Sequence, residues 1–214
     1  MQRPPLPVVV LVSGYGSNLQ ALLDARDAGR LPVDVRLVAS DVPAAPGLKR
    51  ARRAGVRTEC LPPGDFHDRR AWNDALDALL AGCGAELVVL AGFMRVLGPE
   101  LVRAWRGRML NIHPSLLPRH RGLHTHRRAL EAGDRMHGAS IHYVTEELDG
   151  GPVILQARLP ILSGDDADSL ARRVQVREHE VYPRVVGWIA AGRLVWHDDS
   201  PWLDGRRLSQ PVVV

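Results

Sequence analysis

The chain has 214 residues, 45% of them hydrophobic and 24% charged. These proportions exclude a disordered or fibrous protein and allow a core without disulfide or metal staples. The formal net charge is +4 and Lys49 is the sole lysine, so the excess is almost all arginine, which suits an anionic small substrate as well as it suits nucleic acid. No apolar run approaches the roughly 18 residues that span a bilayer. The first ten residues lack the charged, apolar and small-residue succession of a secretory signal, so the expected compartment is the cytoplasm. Cys60 and Cys83 each stand alone, which excludes a disulfide scaffold or a four-thiolate zinc site and assigns both to the core.

In chain order, strand and helix signals alternate. Pro7 to Val12 is a continuous apolar run of strand length, followed by Ser13-Gly14-Tyr15-Gly16-Ser17 and a helix capped at Asn18. A strand at 33–39, a helix at 46–54, a short strand at 56–60, a helix at 68–81 and a strand at 86–91 complete the first hundred residues. This is the rhythm of βαβ units, and the Val/Leu runs read as strands buried on both faces of a parallel sheet. Beyond Pro99 come a helix to Trp105, a strand at 108–112, a loop rich in Pro, His and Arg, and a short helix at 125–132. Strands at 137–145 and 152–159 form a hairpin in which Gly150 and Gly151 are expected to supply positive φ. A long amphipathic helix starts at Asp165 and runs toward Trp188, with Pro183 expected to end or kink it. The tail has short strand-like pieces. The resulting fold class is α/β, Rossmann-like, with a mostly parallel central sheet, an antiparallel C-terminal part and helices on both faces.

Three places carry chemistry. Gly14-Tyr15-Gly16-Ser17-Asn18 joins a buried strand to a helix, where free amides attract an anion. A third glycine and a Gly-Lys-Ser/Thr ending are missing, so a phosphate monoester is preferred over a dinucleotide or a ligand-free turn, although Asp41 keeps the dinucleotide open. Asn111 and His113 lie two apart at a strand end and so share a face, although an isolated pair of this kind reads most simply as a structural histidine beside a turn asparagine and names no reaction. Asp149 in Leu148-Asp149-Gly150-Gly151-Pro152 reads most simply as a turn, but folded against His113 it would favour the imidazolium. Six histidines between His113 and His142 suggest a metal, yet Arg119, Arg121, Arg127 and Arg128 crowd the same stretch and no acid lies between Asn111 and Leu130, so no metal is expected. Phe93, Trp105 and Trp188 are assigned to the core.

Taken together, segments 10–22, 88–97, 110–118, 122–126 and 147–156 resemble the phosphoribosylglycinamide formyltransferases, folate-dependent enzymes of purine synthesis, in the same order over nearly the whole chain. The Asn-Ile-His-Pro-Ser and Asp-Gly-Gly-Pro strings mark the formyltransferase superfamily, and Gly-x-Gly-Ser-Asn with the compact length points to this member. The resemblance implies one formyltransferase domain over 1–214, with a phosphate-binding half at 1–100 and a catalytic and folate-binding half at 101–214. It implies Asn111, His113 and Asp149 as catalytic residues. Gly16, Ser17, Asn18, Gln175 and Glu178 would hold the ribonucleotide. Arg69, Met94, Arg95, Val96, Leu97, Asn111, His142 and Thr145 would line the folate side, with Arg69 near the folate tail. The pattern departs at Tyr15, at Ser40-Asp41-Val42 and at Arg121.

The implied reaction passes a formyl group from 10-formyltetrahydrofolate, as co-substrate, to the amine of N1-(5-phosphoribosyl)glycinamide by direct attack. The implied partners are these small molecules, not nucleic acid or membrane, and the protein would be a monomer or homodimer. Formyltetrahydrofolate hydrolase and methionyl-tRNA formyltransferase are alternatives that usually carry a further domain for which this length leaves no room. A non-catalytic anion or nucleic-acid binding module using 103–128 is the alternative outside enzymes.

Overall fold

The computed structural model of the chain describes residues 3–214. The first half alternates β1 (Leu6–Val12), α1 (Ser17–Asp27), β2 (Val33–Ser40), α2 (Pro46–Arg53), β3 (Thr58–Cys60), α3 (Arg69–Gly82) and β4 (Leu87–Leu90). The second contains α4 (Pro99–Ala104), β5 (Met109–His113), α5 (Thr125–Glu131), β6 (Met136–Tyr143), β7 (Val153–Pro160) and α6 (Ala167–Ala190). The tail adds β8 (Leu194–His197), β9 (Ser200–Leu203), β10 (Arg206–Arg207) and β11 (Val212–Val213).

Eight strands form one sheet in the order β11-β7-β6-β5-β4-β1-β2-β3. The pairs β2·β3, β1·β2, β1·β4 and β4·β5 are parallel, and β6 runs antiparallel to both β5 and β7. The expected sheet, parallel first and antiparallel later, is therefore the one found. In β1 the alternation of a strand sends Val8, Val10 and Val12 into one core and Val9 and Leu11 into the other. Leu19, Leu22, Val181, Tyr182 and Val185 of α1 and α6 share the first core, while Trp72, Leu76 and Leu80 of α3 share the second. Helices on both faces explain why β1 and β4 carry no polar side chain. Phe93, Trp105 and Trp188 are buried as expected. Among the described residues no helix is long and apolar enough to cross a membrane.

The structure corrects several local expectations. α6 is not ended by Pro183 but continues to Ala190. Proline forfeits one helical hydrogen bond, but buried Leu170, Val174, Val181, Tyr182, Val185 and Val186 hold both sides of it against the sheet. The α1 cap is Gly16, in the left-handed conformation at φ 74, rather than Asn18. β3 begins at Thr58, because Val56 N–H bonds back to Ala51 O at 2.9 Å to finish α2. Cys60 and Cys83 are free and only half-buried.

Candidate active site

The site forms at the carboxyl ends of β1, β4 and β5, where open α/β sheets bind ligands. Asn111 and His113 project from one face of β5, and antiparallel pairing sets His142 of β6 opposite Asn111. The Nδ1–H of His142 donates to Tyr143 O at 2.9 Å, and burial pushes the pKa of this ring down. The ring is therefore neutral with a lone pair on Nε2, which accepts from Asn111 Nδ2 at 3.1 Å. One Asn111 N–H is spent on orientation and the other remains to meet a ligand.

Asp149 closes on this pair from the β6–β7 connection. Its Oδ2 lies 3.4 Å from His113 Nδ1, and each side chain is 8% exposed. Gly122 N–H donates to the same oxygen at 2.9 Å, and Oδ1 stands 3.7 Å from His142 Nε2. The other nitrogen of His113, Nε2, bonds to His120 O at 3.0 Å. A carbonyl only accepts, so Nε2 carries a proton, and Nδ1 faces Asp149. The turn is built differently from expectation: Asp149 itself takes positive φ, 49°, and neither following glycine does. Gly151 is needed for space, since a Cβ there would lie 1.9 Å from the Tyr143 carbonyl oxygen, whereas a Cβ on Gly150 would meet only the flexible Glu147 side chain.

At the end of β1, Gly16, Ser17 and Asn18 open α1 with no side-chain cap and no acid in its first turn. Gln175 Nε2 donates to Ser17 Oγ at 3.0 Å. Asn18 Nδ2 donates to Glu178 Oε2 at 2.9 Å, while Asn18 Oδ1 is buried without a partner. Burial pushes the Glu178 carboxyl up to about 7 against the opposing Asn18 hydrogen bond. Ser17 and Gln175 face a cavity of about 510 Å³ that also receives Tyr15, Gln20 and Arg50. Sequence reasoning missed Arg50. Its Nε donates to Tyr15 O at 2.9 Å, its Nη1 to Gln20 Oε1 at 3.1 Å, and its guanidinium sits 4.3 Å from the Tyr15 ring centroid. Nothing in the arginine-rich run of α2 singles it out. Only the packing of Gly47 against Gly16 brings it to the turn.

On the other flank, Ser13 Oγ donates to Asp41 Oδ1 at 2.6 Å and accepts from Met94 N–H at 2.9 Å, tying the turn to the segment after β4. Met94 and Val96 are exposed apolar side chains and Leu97 is buried. Arg69 donates to Val96 O at 2.9 Å and Leu97 O at 3.3 Å, so its guanidinium braces this segment. Arg95 turns toward Asp41, 3.5 Å away, and lies over Trp72, so only its backbone stays with its neighbours here. Thr145 Oγ1 donates to Glu147 O at 3.4 Å. Asp41 is thus committed to Ser13 and Arg95, leaving no acid of this strand end free for a dinucleotide ribose. Elsewhere His126 Nδ1 meets His137 Nε2 at 3.1 Å, and among the described residues no group of three His, Cys, Asp or Glu could hold a metal ion.

A doubly wound sheet with Asn, His and Asp converging at its carboxyl edge agrees with family comparison: the Formyl transferase family model matches residues 6–186, and the chain belongs to that family. It is 52% identical over 201 residues to phosphoribosylglycinamide formyltransferase of Escherichia coli (strain K12), covering 94% of this chain and 95% of that one. It is 46% identical over 187 residues to the trifunctional purine biosynthetic protein adenosine-3 of Drosophila melanogaster, covering 86% of this chain and 14% of that protein. The solved phosphoribosylglycinamide formyltransferase of Coxiella burnetii, in complex with CHES, superposes with a TM-score of 0.94 at 47% identity over 98% of this chain and 99% of that one. Within its family the chain falls among the phosphoribosylglycinamide formyltransferases of purine biosynthesis.

Proposed function

We propose that the formyl group comes from 10-formyltetrahydrofolate and passes directly to the amine of N1-(5-phosphoribosyl)glycinamide, with Asn111, His113 and Asp149 at the reacting centre. The observation that carries this reading is the Asn111, His113 and Asp149 cluster at the end of β5, on the same sheet edge as the turn at 16–18 and segment 94–97, which Ser13 ties to each other. The exposed apolar Met94 and Val96 beside a backbone braced by Arg69 suit a flat heterocycle. The uncapped start of α1, with Ser17, Gln175 and Arg50, suits a phosphate monoester.

In this mechanism the amine lone pair forms a bond to the formyl carbon and the carbonyl π pair moves to oxygen. Asn111 Nδ2–H and His113 Nδ1–H donate to that oxygen, and Asp149 stabilises the charged ring. As the tetrahedral centre collapses, the bond to the folate nitrogen breaks and that nitrogen takes a proton, while the former amine loses one. The two transfers balance, and His113 Nδ1 with Asp149 is the pair positioned to carry them. Holding both substrates at one centre removes much of the entropic barrier. The chain is read as one domain whose halves both contribute to this centre.

The test follows tetrahydrofolate formation spectroscopically, with and without the ribonucleotide. Turnover that requires the ribonucleotide is expected. Folate release without it would identify a hydrolase, and salt-dependent nucleic-acid binding with no folate consumption would replace the enzyme by a binding module.

A further inference from the structure

Segment 119–122 touches both members of the His113–Asp149 pair. Its His120 carbonyl takes the Nε2–H of His113 at 3.0 Å, and its Gly122 amide donates to Asp149 Oδ2 at 2.9 Å. No regular element holds this segment. His120 stands at φ 54, a left-handed conformation that costs free energy for a non-glycine residue and persists only where contacts determine it. Arg121 is held by Glu147 and by Arg128, which donates to the Arg121 carbonyl at 2.6 Å, whereas Arg119 and His120 are both held by Asp134, in the turn between α5 and β6. The His120 ring donates from Nε2 to Asp134 Oδ2 at 2.8 Å, and Arg119 pairs with Oδ1 of the same carboxylate. The Asp134 side chain is 5% exposed and that of His120 is 11% exposed, so little solvent competes for this contact. Ser115 Oγ–H also holds the Arg119 carbonyl at 2.7 Å.

We propose that Asp134 is a positioning residue for the formyl transfer. By fixing Arg119 and His120 it aims the His120 carbonyl at His113 Nε2, which keeps the proton of neutral His113 on Nε2 and leaves Nδ1 directed at Asp149 and the reacting oxygen. Asp134 touches neither substrate. It acts through one backbone carbonyl, and this division of labour rests on the assignment of His113 made above. Loss of the carboxylate frees the His120 side chain, the strained backbone at 120 relaxes, and the ring of His113 loses the acceptor that selects its tautomer. A small misplacement of a reacting group is enough to cost one to two powers of ten in rate.

The test compares Asp134→Ala, Asp134→Asn, His120→Gln and His120→Leu with the wild-type chain. Asp134→Ala is expected to lower kcat by at least about tenfold with KM for both substrates within about twofold, because no binding group is removed. His120→Gln retains an N–H donor toward Asp134 and is expected to keep most of the turnover that His120→Leu loses. Two-bond 1H–15N correlation spectra of the histidine rings should show neutral His113 as the Nε2–H tautomer in the wild type and a mixture in Asp134→Ala. A folded Asp134→Ala with wild-type kcat and an unchanged His113 tautomer overturns the proposal. If that variant does not fold, equal activity of His120→Gln and His120→Leu overturns it instead. Absence of formyl transfer by the wild-type chain would sink the functional reading, while the tautomer spectra would still decide the role of Asp134.

Discussion

Asp149 illustrates how much chemistry rests on one backbone torsion. Its φ of 49° swings the carboxylate away from the path of the hairpin and onto His113 Nδ1, while Gly151 leaves room for the chain to pass Tyr143. Asn111 is aligned with equal economy, by a histidine that burial keeps neutral. Removal of a preorganised donor from an oxyanion site costs about 10²- to 10³-fold in rate, so His113→Ala is expected to lower kcat by that order with the fold intact. Asp149→Asn preserves shape but removes the charge opposite Nδ1, and a loss of the same order is expected. Steady-state kinetics of both purified variants, with circular dichroism as the control for folding, decide the point: near-normal turnover in either refutes the assignment.

Among elements, α1 and α2 meet through two glycines, and their approach shapes the anion site. A Cβ on Gly16 would lie 2.7 Å from Gly47 Cα, and Gly47 N–H bonds to Gly14 O at 3.0 Å. This contact carries Arg50 to the mouth of the turn. Gly16→Val should therefore distort the turn through both its positive φ and its collision with α2, raising KM for the ribonucleotide far more than KM for folate. Arg50→Gln leaves the turn in place but removes a cation from the cavity, and a smaller rise confined to the same KM is expected. Equal effects on both KM values would place the turn outside the ribonucleotide site. The long helix α6 serves the same region from the other side, presenting Gln175 to Ser17 and Glu178 to Asn18. It also anchors Tyr182, whose hydroxyl donates to Leu90 O at 2.8 Å at the end of β4.

Over the whole molecule, buried titratable groups oppose one another in their effect on stability. Burial lowers the pKa values of His126, His137, His142 and His179, that of His137 to about 4. Below about pH 6.5 the unfolded chain binds protons that these folded rings refuse, so stability falls on acidification. Glu178 acts in the opposite sense. Its folded carboxyl, pushed up to about 7 from 4.5, holds a proton that the unfolded chain has already lost. Its stabilisation is complete below about 4.5 and disappears as pH rises through 7, by at most about 1.4 kcal/mol per pH unit. An unfolded histidine is still about one-quarter protonated at pH 7, so the histidine and Glu178 effects overlap and are separated by comparing the wild-type chain with Glu178→Gln. In thermal unfolding followed from pH 4.5 to 8, the wild type should lose stability relative to Glu178→Gln as pH rises from about 4.5 to 7, and parallel curves for the two proteins would contradict the shifted Glu178.

The sequence by itself determined the layered architecture, the family and the identity of most proposed site residues. Runs such as Val8 to Val12 demand burial on both faces whatever surrounds them, and the Asn-x-His spacing puts two groups on one side of any strand. Extended helix context was less legible: Pro183 reads locally as a break, yet contacts with the sheet on both sides of it carry α6 onward. What only the tertiary structure decided are the relations between segments distant along the chain. These include Asp149 against His113, Arg50 over the Tyr15 turn and Asp134 behind His120, and the side of Asp149, not its glycines, that takes the strained torsion. The reason is physical: periodicity and residue type govern the bonds a segment makes with itself, whereas the direction of a side chain in a loop is selected by whichever distant partner packing brings within reach.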